Sequence, residues 1–184
     1  ALPISLQLSV MAGIRSDAIA LATGSDRVVR AMPNTPALIG EGMSGLFARA
    51  SVSAEERAQV EKLLAPTGQT LWVDCEEQLD AVTAMSGSGP AYVFYLLEAW
   101  IEAGTTMGLS ATQARQLAMA TLAGATSLAR DSDETPAVLR ERVTSKGGTT
   151  AAALHVMQSE NVKAHIVKAV EAASARATQM GLEL

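Results

Sequence analysis

The sequence is poor in the residues that stabilise small secreted proteins and in those that bind nucleic acids. Among its 184 residues Cys75 is the one cysteine, so the chain can form neither an internal disulfide framework nor a cysteine metal cluster, which fits a reducing compartment. The 14 lysines and arginines are outnumbered by 19 acidic residues, and the net charge is −5. Without a basic stripe to neutralise phosphates, a protein that wraps DNA or RNA is excluded.

Long apolar runs are also missing. Residues 91–101 form the longest apolar stretch in the middle of the chain, but this stretch contains Glu98 and is too short to cross a bilayer. The N-terminus shows no basic segment ahead of an apolar core, as a secretion signal would. We therefore expect a cytoplasmic protein with no membrane segment.

Charged residues are scarce as well. They make up 18% of the chain, against about a quarter in a typical globular domain. Between residues 81 and 129 only Glu98, Glu102 and Arg115 are charged, so helices there would be apolar around most of their circumference. Because 34 alanines allow helix axes to approach closely, we expect helices from two subunits to interlock.

The first 80 residues alternate short strands with helical stretches, which is typical of a layered α/β sheet. Strands are predicted at residues 4–10, 27–32, 43–48 and 71–73, and helices at 15–22 and 54–64, the second opened by a capping box from Ser53 to Glu56. Two prolines predict an irregular loop at 33–36. Four short strands without a starting unit indicate part of a domain.

The rest of the chain is predicted to be helical. Ser88, Gly89 and Pro90 favour the start of a long helix that runs to about residue 107. Further helices are predicted at 111–129 after a capping box at Ser110, at 136–143, at 150–158 with Thr149 as cap, and from a cap at Asn161 to Gly181. These patterns predict a partial α/β domain at 1–78 and an all-helical domain at 79–184.

Most of the residues that could carry chemistry have a simpler explanation. His155 and His165 have neither the spacing nor the acidic partner of a metal site, so no metal is expected. Glu76, Glu77 and Asp80 could act as acids or bases, but a solvated surface or the preference of acidic residues for a helix N-terminus is the favoured interpretation. No Gly-x-Ser-x-Gly elbow and no lysine-bearing phosphate loop occurs, and the SGSGP segment at 86–90 favours simple helix initiation.

The glycine turn at residues 144–150, TSKGGTT, is a stronger candidate site. It precedes a predicted helix, and a bare backbone at a helix N-terminus presents free N–H groups that can hold a carboxylate or a phosphate. From the residues alone, a capped turn without a ligand is equally compatible with this pattern.

Three blocks of the sequence resemble the Δ1-pyrroline-5-carboxylate reductase family. They are VVRAMPNTP at 28–36, AVTAMSGSGPA at 81–91, and PAVL at 136–139 followed by VTSKGGTT at 143–150. The blocks stand in the family's order and extend over nearly the whole chain. Lys146 stands where many members of the family carry proline, in the variable position of the signature.

The resemblance implies a two-domain subunit. An N-terminal Rossmann domain would bind NADPH or NADH, and an all-α domain would interlock two subunits into a homodimer. The family's first strand and glycine-rich dinucleotide turn would lie upstream of Ala1, since the GEGMSG segment at 40–45 has the glycine spacing but runs into a predicted strand and not into a helix. The expected fold is therefore the C-terminal part of a Rossmann α/β domain followed by an all-α dimerisation domain.

The resemblance also implies a reaction and a set of site residues. The reaction is hydride transfer to the C=N carbon of pyrroline-5-carboxylate, which gives L-proline in the last step of proline biosynthesis. Thr150 would be the catalytic residue at the ring nitrogen. The other implied substrate-binding residues are Ser145, Gly147, Gly148, Thr149 and Glu76. The implied cofactor-binding residues are Val10, Met11, Ala12, Pro33 and Asn34. In the family, the helical loop of one subunit completes the site beside the other subunit's cofactor.

Two alternatives remain open from the sequence. One is an inert helical dimerisation module that lacks half of its cofactor site. The other is a hydroxyacid dehydrogenase of the 6-phosphogluconate type, which would need a catalytic lysine on a helix of its second domain, whereas Lys146 lies in a loop and Lys163 and Lys168 fall in the last helix. Preference for NADPH or NADH and assembly beyond a dimer also stay open.

Overall fold

The structure is a computed structural model, and it describes residues 5–183. By its internal contacts the chain divides into two compact units. The first, called here the sheet unit, contains the residues up to Ala91 and those from Lys168 onward; the second, the helical unit, is Tyr92–Val167. The boundary predicted after residue 78 stays a prediction.

The sheet unit contains the four predicted strands. They are β1 (Gln7–Ser9), β2 (Val28–Met32), β3 (Gly42–Ala48) and β4 (Gly68–Trp72), and they lie in this order in one sheet. The pairs β1–β2 and β3–β4 are parallel, whereas β2 and β3 are antiparallel. Ile4, predicted to begin the first strand, lies outside the described residues, and β4 begins earlier than predicted.

The first four residues of strand β2 are all buried. Because successive side chains of a strand point to opposite sides, β2 is buried on both faces. On one face Val29 and Ala31 pack with Leu46 of β3 and Val60 of helix α2 (Ala54–Leu64). On the other face Val28 and Arg30 are buried. The core of the sheet unit therefore includes one cation, which requires a partner.

The connections of the sheet unit follow local sequence signals with one exception. The capping box before α2 forms as predicted. Glu56 N–H donates to Ser53 Oγ at 3.2 Å, and Ser53 N–H donates to Glu56 Oε2 at 2.9 Å. Helix α1 is Ser16–Thr23. The loop predicted to be irregular at 33–36 is wrong in its second half, because Thr35–Ile39 is a 3₁₀ helix with Pro36 in its first turn. Proline is tolerated there because its missing N–H would have no intrahelical partner.

The helical part of the chain begins earlier than the SGSGP segment. Helix α3 (Gln78–Val82) continues into a π-helical turn, Thr83–Gly87, which leads directly into α4 (Gly89–Thr106). Ser88 N–H binds the carbonyl of Thr83 at 2.8 Å, so this N–H is not free for a ligand. Helix α4 begins at Gly89 with Pro90 in its first turn, as predicted, but it follows the π-helical turn without a free N-terminus.

The remaining helices are α5 (Ala111–Arg130), α6 (Pro136–Arg142), α7 (Thr149–Ser159) and α8 (Val162–Glu183). The predicted capping box at Ser110 forms with Gln113. Asn161 is not an ordinary N-cap, since its φ of 53° is left-handed, and α8 continues through Gly181. None of the helices within residues 5–183 is long and apolar enough to span a membrane.

The helical unit has little core of its own. Its buried residues are the small ones at positions 104, 114 and 118, where α4 and α5 approach so closely that a Cβ on Gly104 would lie 2.7 Å from Ala114 Cβ. Large apolar side chains are exposed instead, among them Phe94 at 58% and Tyr95 at 76%. Apolar surface of this extent indicates an interaction surface.

We therefore expect the chain to form an obligate dimer through the helical unit, with a total buried area above about 2,000 Å². Tyr95→Glu places a charge on this surface and should weaken association, as measured by sedimentation at micromolar concentration. Leu63→Glu, which changes an equally apolar and 66% exposed side chain on α2 of the sheet unit, is the matched control. A well-folded wild-type monomer at that concentration would contradict the expectation.

Candidate active site

Two segments follow the carboxyl ends of neighbouring parallel strands. The register pairs Ser9 of β1 with Arg30 of β2, so Val10 and Met11 leave the sheet at the same edge as Pro33 and Asn34. Val10 is 57% exposed and Met11 is 53% exposed. In open α/β sheets nucleotides bind outside the carboxyl ends of the strands, so the structure brings the predicted cofactor residues, Ala12 included, to a suitable edge.

The side chain of Asn34 is engaged within the sheet unit. Its Oδ1 accepts the N–H of Met43 at 2.9 Å, and its Nδ2 donates to Ser86 Oγ at 3.1 Å. Each end of the amide thus has one partner within the sheet unit, and the predicted role of Asn34 toward a cofactor stays a prediction.

Glu76 lies in a cluster with Arg30 and Ser16. Its Oε1 accepts Ser16 N–H at 2.6 Å and Arg30 Nη1 at 2.7 Å, and its Oε2 accepts Ser16 Oγ at 2.7 Å. The side chain is 14% exposed and that of Arg30 is 8% exposed. Glu76 thus compensates the buried arginine and receives the first N–H of α1.

The environment of Glu76 explains its ionisation. Burial raises the pKa of this carboxyl, but the hydrogen bonds from Ser16 and Arg30 outweigh burial and hold the pKa below its ordinary value of 4.5. Its neighbours differ, because Glu77 is 72% exposed while Asp80 is 15% exposed, close to Arg15 and bonded to Thr178. The interpretation as a solvated acidic surface is wrong for Glu76 and Asp80, and the role of Glu76 near a substrate stays a prediction.

The glycine turn lies in the helical unit. Gly147 has a φ of 73°, and Gly148 is the N-cap of α7 in an extended conformation. The N–H of Gly148 donates to the carbonyl of Ser145 at 3.1 Å. A Cβ on Gly148 would collide with Ser145 Oγ, so a side chain there would displace this hydroxyl. The prediction of Thr149 as the cap is wrong, because α7 begins with Thr149 and no side chain caps it.

This geometry leaves polar groups available at the start of α7. The N–H groups of the helix's first turn, from Thr149 onward, have no intrahelical partner. Within residues 5–183 the structure gives the hydroxyls of Ser145, Thr149 and Thr150 no hydrogen bond. The turn can therefore receive an anion through backbone donors and the positive end of the helix dipole.

The predicted site residues fall into two groups. Those at 10–12, 33, 34 and 76 belong to the sheet unit, and those at 145–150 belong to the helical unit. Sequence reasoning missed Ser16, Arg30 and Ser86. The signal for Arg30 was present, because one arginine inside the apolar strand VVRAM requires a buried acidic partner.

The described residues offer no alternative site for metal chemistry. Within 5–183, His, Cys, Asp and Glu side chains nowhere gather into a group of three that could hold a metal ion. His155 and His165 lie on α7 and α8.

The fold and the site define a class of protein in which a nucleotide-binding type of α/β sheet is joined to helices that lack a core of their own. Residues 76–180 match the family model described as "Pyrroline-5-carboxylate reductase dimerisation". The pyrroline-5-carboxylate reductase of Pseudomonas aeruginosa is 46% identical over 99% of this chain, and that of Haemophilus influenzae is 43% identical over 95%.

Solved structures agree with these sequence matches. A pyrroline-5-carboxylate reductase from Coxiella burnetii aligns with a TM-score of 0.92 at 36% identity over 98% of this chain and 67% of its own. The Plasmodium falciparum pyrroline carboxylate reductase, described with NADP bound, aligns with a TM-score of 0.89 at 32% identity over 96% of this chain and 71% of its own. The chain belongs to the pyrroline-5-carboxylate reductase family, and it spans 67% and 65% of the two curated relatives.

The Glu76 cluster generates a prediction about stability and pH. Glu76→Gln leaves Arg30 buried without a counter-charge and should lower the free energy of unfolding by about 2 kcal/mol at pH 7. Because the pKa of Glu76 is lowered in the folded chain, its contribution is present above the ordinary value of 4.5 and is lost as the pH falls through the folded value.

Urea unfolding between pH 7 and pH 3 measures this difference, which should shrink on the acid side. Glu77→Gln, at the exposed neighbouring position, should change the free energy by less than about 0.5 kcal/mol at every pH. An equal effect of the two substitutions, or a difference that does not depend on pH, would show that the cluster has no such role.

Proposed function

We propose that this chain is the C-terminal part of a pyrroline-5-carboxylate reductase that uses NADPH or NADH to convert pyrroline-5-carboxylate into L-proline. The observation that carries the proposal is the glycine turn with unpaired N–H groups at the start of α7, within the segment that matches the family's dimerisation model. The named relatives are pyrroline-5-carboxylate reductases and support this function over a hydroxyacid dehydrogenase.

The residues present fit the nicotinamide end of a dinucleotide and not its pyrophosphate. Val10, Met11, Ala12 and Pro33, with the backbone of Asn34, border the open edge of the sheet and would hold the nicotinamide ring. When bound, the cofactor supplies the hydride. The Gly-x-Gly-x-x-Gly segment at 40–45 runs into strand β3 and does not link a strand to a helix, so the pyrophosphate would need a dinucleotide turn outside the described residues. The structure with NADP bound from Plasmodium falciparum supports NADPH as the partner of this edge.

The glycine turn would bind the substrate through its carboxylate. The backbone N–H groups of Gly147 and Thr149 and the hydroxyl of Ser145 would hold this group, and the helix dipole would favour its negative charge. Gly148, whose own N–H donates to the Ser145 carbonyl, would contribute by shaping the turn around the carboxylate. The hydroxyl of Thr150, one step further into α7, would contact the ring nitrogen. Glu76 would lie near the bound substrate.

This division of work explains a site without histidine. A cyclic imine is readily protonated near neutral pH, and the iminium is the better hydride acceptor, so no strong dedicated acid is needed. The protein then contributes orientation and polarisation of the ring nitrogen by Thr150. In a homodimer, the turn of one subunit would complete the site beside the cofactor of the other.

The absent dinucleotide turn predicts a loss of cofactor binding. We expect the 184-residue chain alone to bind NADPH weakly or not at all, and to lack reductase activity, because most of the affinity for the pyrophosphate comes from the first βα turn. Calorimetry on this chain and on the full-length protein, meaning this chain preceded by the dinucleotide-binding segment, compares the two directly. A micromolar affinity of the short chain would contradict this division of the site.

The assignment of Thr150 is tested in the full-length protein. Thr150→Ala removes a hydrogen bond to the reacting nitrogen and should lower kcat/KM for the imine about 5- to 150-fold, with little change in NADPH affinity. Thr150→Ser keeps the hydroxyl and should retain most of the activity.

Thr149→Ala is the matched control, one residue away. Because Gly148 caps α7, this substitution should cost less than about 0.5 kcal/mol of stability and little activity. Full activity of Thr150→Ala at sub-saturating imine, together with an inactive but folded Thr149→Ala, would show that the two threonines have the opposite roles.

A further inference from the structure

Asn34, Met43 and Ser86 form a closed ring of hydrogen bonds. Met43 N–H donates to Asn34 Oδ1 at 2.9 Å, Asn34 Nδ2 donates to Ser86 Oγ at 3.1 Å, and Ser86 Oγ donates to the carbonyl of Met43 at 3.3 Å. The direction of the ring is fixed, because a backbone N–H can only donate and a carbonyl can only accept. The orientation of the Asn34 amide follows from this direction.

The ring replaces a missing part of the sheet. Pairing between β2 and β3 runs from Val29 and Ala48 to Met32 and Gly45, and Met43 lies two residues beyond that last pair. Its backbone groups on this side therefore have no partner on β2. The side chains of Asn34 and Ser86 supply the partners, although they are separated by 52 residues of sequence.

The ring also holds the π-helical turn against the edge of the sheet. Ser86 belongs to this turn, whose packing is tight at both ends. A Cβ on Gly45 would lie 2.5 Å from Val82 Cγ1, and a Cβ on Gly87 would lie 2.8 Å from Met32 Cε. These close contacts and the hydrogen bonds of the ring together set the position of the turn along the edge.

The position of the turn determines where helix α4 begins. This helix starts at Gly89, immediately after the turn, and from Tyr92 onward it belongs to the helical unit. The turn is therefore followed by residues 89–91, called here the root of α4, which are the last residues before the chain leaves the sheet unit. It packs on Met32, the last residue of β2, which Pro33 and Asn34 follow directly.

We propose that Asn34 is a positioning residue: through Ser86, its amide fixes the π-helical turn and the root of α4 at the sheet edge that borders the cofactor. This inference rests on the proposed function, in which this edge of the sheet holds the nicotinamide ring. An open ring would let the turn shift, and small misplacements of reacting groups are costly in rate. The loss should therefore fall on kcat and leave cofactor affinity unchanged.

The test uses the full-length protein with Asn34→Ala, Ser86→Ala and the double variant. Each single substitution opens the same ring and should lower kcat at saturating substrates about 5- to 20-fold, and the double variant should lose little more than either one. The Kd for NADPH should stay within about 2-fold of wild type, since the substitutions leave the backbone of Asn34 in place and neither side chain contacts the cofactor in the proposed site.

Two further variants separate the hydrogen bonds from packing. Asn34→Asp keeps the size of the side chain and can still accept from Met43, but its carboxylate cannot donate to Ser86, so its kcat should fall as in Ser86→Ala. Ser88→Ala is the matched control: this serine lies next to the turn, and its hydroxyl makes no hydrogen bond within residues 5–183. It should keep the wild-type kcat.

The outcomes distinguish this inference from the function on which it rests. A higher Kd for NADPH in Asn34→Ala with unchanged kcat would show that Asn34 is a cofactor ligand. Additive losses of kcat in the double variant would show that Asn34 and Ser86 do not act through one ring. Either result overturns the positioning role and leaves the proposed function intact. If Asn34→Ala does not fold, Ser86→Ala decides, because it removes a single hydroxyl. An inactive wild-type full-length protein would overturn the proposed function and the positioning role together.

Discussion

A buried arginine in the central strand is the constraint on which the sheet unit depends. Arg30 lies on the face of β2 opposite the apolar core, where an unpaired cation would be too costly to keep. Glu76 forms an ion pair with Arg30. The same carboxylate accepts hydrogen bonds from the N–H and the hydroxyl of Ser16, the first residue of α1. One ion pair thus ties the strand, the connection after β4 and the helix after β1, whose loop carries Val10 to Ala12.

The helical unit follows the opposite principle. It has almost no ionic or apolar core within one chain, and close contacts between small residues such as Gly104 and Ala114 bring its helices together. Its large apolar side chains, Phe94 and Tyr95 among them, remain exposed. Such a unit is stable only with further apolar cover, so the scarcity of charge between residues 81 and 129 is better explained by association than by a single-chain core.

Sequence reasoning succeeded where structure depends on neighbours in the chain. The capping boxes at Ser53 and Ser110 form as predicted, because each involves residues three positions apart. It failed at Thr149, where Gly148 takes the cap position next to two threonines, and it did not predict the π-helical turn at Thr83–Gly87 ahead of α4. The partners of Asn34 and Glu76 could not be predicted, because these contacts depend on the fold. Glu76 is 60 positions from Ser16 and 46 from Arg30, and Asn34 is 52 positions from Ser86.

These contacts share one physical logic. Each of the two loops at the carboxyl edge of β1 and β2 is held by a polar side chain whose hydrogen-bonding capacity is used within the protein: Glu76 fixes the start of α1, and Asn34 fixes the π-helical turn. A reductase that obtains its hydride from a cofactor and its acid from a protonated imine needs few reactive side chains but exact placement of two reactants. In such a protein the polar groups at the sheet edge contribute most by orienting backbone, and the direct contact with substrate can be left to bare N–H groups at a helix start.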